Sequence, residues 1–239
     1  MSEKNFWLTL QPDIKIFITQ ASYLLLCNKY RYFASTKKGR FCLYFFHMKH
    51  DCIFVLGLPG SGKGTQAKRL AEKLGYFYFE MGEILRHVAA DHTPLGGTVR
   101  RAMEHGDLLQ DEDIVEILKL HMRHLEEGQG MIFDGVPRRV GQGQFMLDYL
   151  RNDLKHRDFG TIVINIPPEL CETRIASRAA QEHRADDTPE AVRIRVKQQM
   201  ATLGEVLALL ENNSTVYQID GTPSIDEVEK SIHAALGIV

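Results

Sequence analysis

The sequence predicts an α/β protein built on a five-stranded parallel sheet with helices on both faces. From Cys52 onward, short apolar runs alternate with stretches in which apolar residues recur every three or four positions. Five such runs separated by predicted helices favour parallel pairing of the strands. The composition, 44% hydrophobic and 25% charged over 239 residues, excludes a disordered or fibrous chain.

The first predicted strand, Cys52 to Leu56, is short and continuously apolar, which is typical of a strand that is buried on both faces. It ends directly before Gly57. The complete set of predicted strands is 52–56, 76–79, 131–133, 161–166 and 216–219.

The predicted helices are marked by apolar stripes and by residues that cap helix ends. Residues 65–75 carry apolar side chains at positions i, i+3, i+4 and i+7. Thr93-Pro94 predicts an N-cap with proline at the first helical position, and Thr188-Pro189 predicts the same start for a long helix. Ser224 and Glu227 form a predicted capping box at the start of the last helix. A further stripe predicts a helix through Ile114, Leu118, Met122 and Leu125.

Residues 1–47 differ from the rest of the chain in composition. They contain 11 of the 21 aromatic residues and a net charge near +5, against −7 for residues 48–239. Their apolar residues follow neither a helical nor a strand period for long, and the most apolar stretch, 16–27, is too short to span a bilayer. The acidic Glu3 and Asp13 fit a signal peptide poorly. Two interpretations stay open: a targeting or interaction extension, or translated sequence upstream of a start at Met48, which is favoured because the fold pattern begins four residues later.

The clearest chemical signal lies between the first predicted strand and the first predicted helix. Residues 57–66 read GLPGSGKGTQ, which contains the G-x-x-x-x-G-K pattern of a phosphate-binding P-loop. Glycines let backbone N–H groups turn toward phosphate oxygens, and the following helix contributes its positive N-terminal end. The motif alone is weak, but its position between strand and helix predicts a P-loop NTPase-type fold. Gly64 occupies the usual Ser/Thr position, and the hydroxyl follows at Thr65.

The full string resembles the adenylate kinases and their nucleoside monophosphate kinase relatives. Four more segments match that family in order, and the resemblance covers residues 48–239 while leaving 1–47 unmatched. The matching segments are MGEILR at 81–86, DGVPR at 134–138, RIASR with RADD at 174–178 and 184–187, and VRIR at 192–195. The resemblance implies a small nucleoside monophosphate (NMP)-binding part near 80–109 and a short lid near 178–186.

The resemblance implies a donor site for ATP and an acceptor site for AMP. The ATP site would comprise Gly60, Ser61, Gly62, Lys63, Gly64, Thr65, Arg174, Arg178 and Pro223. The AMP site would comprise Met81, Arg86, Asp107, Leu108, Leu109, Gly135, Val136, Pro137, Arg138, Gln142, Arg184 and Arg195. The catalytic set would be Lys63, Asp134, Arg138, Arg178, Arg184 and Arg195.

Chemistry agrees with an arginine-rich site that has no nucleophile. Residues 48–239 contain 14 Arg against 8 Lys although the segment is acidic, and guanidinium groups bind phosphate in a bidentate manner. An acceptor phosphate is already anionic, so its transfer needs alignment and charge neutralisation rather than a general base. Asp134 is expected to orient Mg²⁺ through water. Five residues without Cys separate Arg178 from Arg184, so no zinc site is expected in the lid.

We therefore expect an ATP:AMP phosphotransferase that uses Mg²⁺ with ATP. Two departures from the family pattern, Met81 for a Thr and Val136 for a Phe, leave a UMP/CMP kinase as the alternative enzyme. The alternative from another class is a P-loop nucleotide-binding regulator without transfer activity. Four cysteines without a C-x-x-C pair favour a reducing compartment. We expect a cytoplasmic monomer that binds neither nucleic acid nor membrane.

Overall fold

The structure is a computed structural model whose chain divides into two compact units, 1–49 and 50–239. In the first unit it describes the backbone of residues 6–11, 14–18, 31–37 and 40–46. In the second it describes residues 50–238 apart from 124, 126–128, 157, 172 and 176–187.

The first unit contains two antiparallel strand pairs. Strand β1 (Phe6–Gln11) pairs with β2 (Ile14–Ile18), and β3 (Arg31–Lys37) pairs with β4 (Arg40–Phe46). These four strands were not predicted, because the apolar residues of this segment do not alternate regularly for long. The usable signal was the pair of two-residue connections, Pro12-Asp13 and Lys38-Gly39, which are turn-forming residue types between aromatic-rich runs.

The second unit is built on a parallel sheet of five strands in the order β6-β7-β5-β8-β9. This confirms the predicted fold class. The strands are β5 (Cys52–Leu56), β6 (Phe77–Glu80), β7 (Met131–Asp134), β8 (Phe159–Asn165) and β9 (Thr215–Asp220). Each of the five predicted strands is present, with ends that differ by at most two residues from the sequence prediction.

Seven helices with complete bounds are described in this unit, and two of them were not predicted. They are α1 (Lys63–Leu74), α2 (Met81–Ala90), α3 (Pro94–His105), α4 (Asp111–Met122), α5 (Val140–Asn152), α6 (Pro189–Glu211) and α7 (Ile225–Leu236). Helix α2 was not predicted, because its apolar stripe lies within a segment interpreted as a binding motif. Helix α5 was not predicted either, since it contains Gly141 and Gly143 and begins without a side-chain cap.

The predicted helix starts at Thr93, Thr188 and Ser224 are confirmed. Thr93 Oγ1 accepts a hydrogen bond from the Gly96 N–H at 3.0 Å, and Thr188 Oγ1 accepts one from Ala191 at 3.2 Å. Ser224 and Glu227 form the reciprocal capping box. These side chains satisfy backbone N–H groups that have no partner within the helix. The apolar stripe predicted a helix that continues to Leu125, but α4 ends at Met122.

Alternate residues of the central strand β5 serve the two faces of the sheet. Cys52, Phe54 and Leu56 join one core cluster with side chains of α4, α5 and α6. On the opposite face, α1 contacts β5, β6 and β7 and packs against α7. The continuous apolar run in β5 therefore reflects cover on both sides of the sheet.

Phe133 lies at the centre of the core and has no exposed surface. Its ring centroid is 5.4 Å from that of Phe54 and 5.4 Å from that of Phe79. Aromatic groups packed in this way contribute both buried apolar area and ring–ring contact.

We expect Phe133→Ala to lower the free energy of unfolding by about 3–5 kcal/mol, because it opens a cavity that the sheet cannot refill. Phe77→Ala is the matched control, since Phe77 lies on the neighbouring strand but is 40% exposed. Its loss should stay below about 1 kcal/mol. Urea unfolding followed by circular dichroism measures both changes, and equal losses in the two variants would contradict this account of the core.

Candidate functional site

The carboxyl ends of the parallel strands open into a cavity of about 800 Å³. Crevices at this edge of a parallel sheet are where α/β proteins bind ligands, since the loops after successive strands meet there. The loop after β5, the end of β6 and the loop after β7 all contribute residues to this cavity.

Most residues that the sequence analysis assigned to ATP or AMP line this one cavity. The lining includes Gly60, Ser61, Gly62, Lys63, Gly64, Thr65, Met81, Arg86, Asp107, Leu108, Leu109, Asp134, Gly135, Val136, Arg138, Gln142, Arg174, Arg195 and Pro223. Pro137 is not among the lining residues. Arg178 and Arg184, with the rest of the predicted lid, lie outside the described residues.

The loop between β5 and α1 has a shape that favours glycine at three positions. Gly57, Gly60 and Gly62 have φ angles of 149°, 81° and 90°, positive values that side chains disfavour. A Cβ atom on Gly60 would also lie 2.9 Å from the carbonyl oxygen of Cys171. Lys63, the first residue of α1, donates from Nζ to the Leu58 carbonyl at 3.5 Å and so folds back over the loop.

Gly64, which occupies the usual Ser or Thr position of the motif, lies close to Asp134. A Cβ atom at this position would lie 3.1 Å from Asp134 Oδ2, which is closer than most Cβ contacts. The absence of a side chain therefore lets the carboxylate at the end of β7 approach the start of α1.

Asp134 is a buried carboxylate with one oxygen in use. Its Oδ2 accepts a hydrogen bond from the Tyr78 hydroxyl at 3.1 Å, and Oδ1 has no hydrogen-bond partner among the described residues. Burial raises the pKa of Asp134, while Lys63 and the Tyr78 hydroxyl act in the opposite direction. The same burial, with the charges of Asp134 and Glu80, raises the pKa of Tyr78 far above its ordinary value, so Tyr78 keeps its proton.

The same cavity is lined by partly buried arginines. Arg138 donates from Nε to the Gly135 carbonyl at 2.8 Å, and Arg86 pairs with Glu80 at 3.1 Å. Removal from water and the nearby charge of Arg195 lower the pKa of Arg138 to about 10, which leaves it cationic at neutral pH. Two like-charged guanidinium groups held near each other favour an anion between or beside them.

Gln142 lies beside Arg138 but already bonds within the protein. Its Oε1 accepts from the backbone N–H of Arg138 at 2.9 Å, and its Nε2 donates to Asp111 Oδ1 at 3.0 Å. An amide also has a second N–H and a second oxygen lone pair, which these two bonds leave for other partners. Its part in reading a base remains a prediction.

Met81 is almost wholly buried and belongs to the apolar core cluster. Met81, which stands where the family pattern has Thr, therefore both packs in the core and lines the cavity.

The segment 107–108 is tied to helix α6, which carries Arg195. Gln198 Oε1 accepts from the Leu108 N–H at 2.8 Å, and Gln198 Nε2 donates to Asp107 Oδ1 at 2.9 Å. One glutamine therefore bonds two neighbouring residues of the predicted NMP-binding part.

Arg174 braces the turn that presents Pro223. Its guanidinium donates to the carbonyls of Gly221 at 2.8 Å and Thr222 at 3.1 Å. The turn is closed further by Asp220, whose Oδ1 accepts from the N–H of Thr222 at 2.9 Å.

Six polar residues that line the cavity were given no site role from the sequence: Gln66, Lys68, Tyr78, Glu80, Gln199 and Ser224. The buried amide oxygens of Gln66 and Gln199 have no hydrogen-bond partner among the described residues. Gln199 Nε2 donates to the Gly57 carbonyl at 3.0 Å, which links α6 to the start of the phosphate loop. The position of Glu80 at the carboxyl end of a parallel strand is a signal that could have identified it from the sequence.

Comparison with known proteins agrees with this geometry. The family model described as adenylate kinase matches residues 55–215. The chain belongs to the adenylate kinase family. An adenylate kinase of Thermus thermophilus is 39% identical over 188 residues, which cover 79% of this chain and 98% of that protein. The family resemblance inferred from the sequence motifs is thereby confirmed.

Two further adenylate kinases are similar over nearly the same span. That of Xanthomonas campestris pv. campestris is 36% identical over 185 residues, and that of Xylella fastidiosa is 35% identical over 185 residues. Each alignment covers 77% of this chain and 98% of the relative. This adenylate kinase-family chain has no helix, among its described residues, that is long and apolar enough to cross a membrane.

We expect Asp134→Asn to raise the free energy of unfolding of the nucleotide-free protein near pH 7. The folded-state pKa of Asp134 is raised, so the unfolded chain loses its proton more readily. Ionisation of this carboxyl group therefore lowers the free energy of unfolding. The loss is absent below the unfolded-state pKa, near 3.9, and grows as the pH rises through the folded-state pKa.

Urea unfolding at pH 4 and pH 7, with a chelator present, measures this difference. The advantage of Asp134→Asn should be larger at pH 7, whereas Asp153→Asn, at an exposed position, should change stability little at either pH. A destabilised Asp134→Asn at pH 7 would contradict the assignment.

Proposed function

We propose that this chain transfers the γ-phosphoryl group of ATP to AMP and produces two ADP. One observation carries the proposal: a phosphate loop with Lys63 and a second group of cations, Arg86, Arg138 and Arg195, line the same cavity as Asp134. A site that only bound ATP would not need cations at an acceptor end. Membership of the adenylate kinase family supports the same reaction.

The donor end supplies backbone and one lysine for the ATP phosphates. The glycine-shaped loop at 57–64 and the start of α1 offer N–H groups and a positive helix end. Lys63 would exchange its long contact with the Leu58 carbonyl for the β- and γ-phosphates. Pro223, held by the turn that Arg174 braces, would lie against the adenine.

The acceptor end supplies guanidinium groups for the AMP phosphate and polar edges for its base. Arg86 and Arg138 would bind the phosphate, and Gln142 would use its remaining N–H and lone pair on the adenine edge. The other acceptor residues would form the walls: Met81, Asp107, Leu108, Leu109, Gly135, Val136 and Pro137. Pro137 would act through the conformation of the loop, since it does not line the cavity.

Transfer itself would rest on alignment and charge neutralisation. The attacking phosphate oxygen of AMP is already anionic, so none of the residues needs to remove a proton. Arg195 lies near Arg138, where the transferring group would pass between donor and acceptor. Arg178 and Arg184 are proposed to add two more guanidinium groups from the lid, whose closure would exclude water.

The residues around Asp134 fit a magnesium ion that arrives with ATP. The unpartnered Oδ1 of a buried carboxylate is a suitable acceptor for a metal-bound water. Within the part of the chain that the structure describes, no three His, Cys, Asp or Glu side chains form a metal cluster, so phosphates and water would provide most ligands. When bound, Mg²⁺ would neutralise charge on the phosphates. Asp134 would orient it through water.

We expect Lys63→Ala to lower kcat/KM by about 10²–10³-fold, because it removes a positioned cation from the phosphates. Arg138→Ala should lower it by about 10³-fold, the range typical of an arginine at a phosphoryl transition state. The matched controls are Lys73→Ala, in the last turn of the same helix as Lys63, and Arg101→Ala, at an exposed position. Neither control should lose more than about twofold.

The measurement is diphosphate formation from ATP and Mg²⁺ with AMP, UMP, CMP or GMP added separately. ADP formation with AMP as the preferred acceptor supports the proposal. A preference for UMP or CMP would keep the mechanism and move the base assignment away from Gln142. ATP binding without transfer to any acceptor would contradict the proposal and favour a nucleotide-binding regulator.

The cellular setting that we propose is that of a cytoplasmic monomer. The cysteine pattern favours a reducing compartment, and both predicted substrates are small molecules.

A further inference from the structure

Glu80, the last residue of β6, contacts Arg86 with one of its carboxylate oxygens and Tyr78 with the other. Oε1 accepts from an Arg86 guanidinium N–H at 3.1 Å, and Oε2 lies 3.4 Å from the Tyr78 hydroxyl. The side chains of Arg86 and Glu80 are 33% and 26% exposed, and both line the cavity. The pair is therefore open to a ligand rather than sealed in the core.

The position of this carboxylate is set by Arg86 rather than by the helix that follows. Glu80 is the N-cap residue of α2, where an acidic side chain could bond the first N–H groups of the helix. Its side chain makes no such capping bond. It pairs instead with Arg86, whose guanidinium packs over Gly82, where a Cβ atom would lie 3.4 Å from one guanidinium nitrogen.

We propose that the Glu80 carboxylate forms an ion pair with Arg86 where the acceptor phosphate would otherwise bind. An acceptor then binds only by displacing this carboxylate. The inference rests on the proposed function, in which Arg86 binds the phosphate of AMP. A phosphate monoester carries a charge of about −1.5 to −2 and three acceptor oxygens, so it competes well against one carboxylate. A nucleoside without a phosphate has nothing with which to displace Glu80.

Tyr78 is the other donor within reach of the displaced carboxylate. Its hydroxyl lies 3.4 Å from Glu80 Oε2 and keeps its proton, because burial raises its pKa, but it donates that one proton to Asp134 Oδ2 at 3.1 Å. The displaced Glu80 side chain, which is 26% exposed, would therefore be solvated or would share the Tyr78 proton with Asp134. Competition between Glu80 and the acceptor phosphate lowers the apparent affinity for the acceptor. The affinity falls to the fraction of molecules in which Arg86 is not paired with Glu80.

The test is the binding of AMP alone to the full chain, measured by calorimetry with a chelator and without ATP. We expect Glu80→Gln to bind AMP about threefold more tightly, the size expected for the loss of a partly exposed ion pair. In the assay with ATP and Mg²⁺, KM for AMP should fall by the same factor while kcat stays unchanged. The affinity for ATP should also stay unchanged.

Two comparisons separate displacement from the general effect of removing a negative charge. Glu83→Gln removes the same charge from an exposed position of the same helix turn and should leave the affinity for AMP nearly unchanged. In an Arg86→Gln background, the additional change Glu80→Gln should no longer tighten AMP binding, because the guanidinium for which Glu80 and the phosphate compete is absent.

Weaker or unchanged AMP binding by Glu80→Gln would overturn the inference and leave Glu80 as a residue that orients Arg86. Equal tightening in Glu83→Gln, or tightening that persists without Arg86, would overturn it in favour of general charge. If wild-type protein did not bind AMP, the proposed function would fail and this inference with it. If wild-type protein binds AMP but Glu80→Gln gives no tightening, the inference alone fails.

Discussion

The charge of Asp134 is the constraint around which the rest of the site is arranged. A carboxylate at the end of an inner strand is buried, and such a group destabilises the fold unless cations and hydrogen-bond donors surround it. Lys63 and Arg138 supply the cations, and Tyr78 supplies the donor. Gly64 lets the start of α1 approach, because a side chain there would press against the carboxylate. The phosphate loop and the acceptor arginines thus meet around one negative charge.

This arrangement lowers the stability of the empty protein and prepares it for anionic ligands. Buried polar atoms of Ser61, Gln66, Asp134 and Gln199 have no hydrogen-bond partner in the described part of the chain, and all four residues line the cavity. Each unsatisfied buried group costs about 1–3 kcal/mol. The aromatic and aliphatic core on both faces of the sheet offsets that cost. Stability is therefore concentrated in the strands, while the polar edge is left incomplete until substrates bind.

Individual elements show which parts of the fold a sequence reveals. The five strands of the second unit and the capped helix starts at Thr93, Thr188 and Ser224 were predicted because local patterns determine them. Helix α5 was missed because its two glycines and uncapped start give a weak local signal, and it forms where its apolar residues pack under the sheet. In the site, the motif residues were identified by type and spacing, but their hydrogen bonds were not. Gln142 illustrates the difference, since its bonds go to the Arg138 backbone and to Asp111 from a separate helix.

The sequence by itself determined the class of fold, the family and the chemistry of the phosphate loop. Those features depend on residues that are adjacent or regularly spaced, such as the glycines at 60 and 62, whose left-handed conformations a local string can encode. Only the tertiary structure decided which charges face one another. Glu80, Arg86, Tyr78 and Asp134 form one network because β6 and β7 end side by side in a parallel sheet. Strand order and register bring these side chains together, and both arise from packing between segments that lie far apart along the chain.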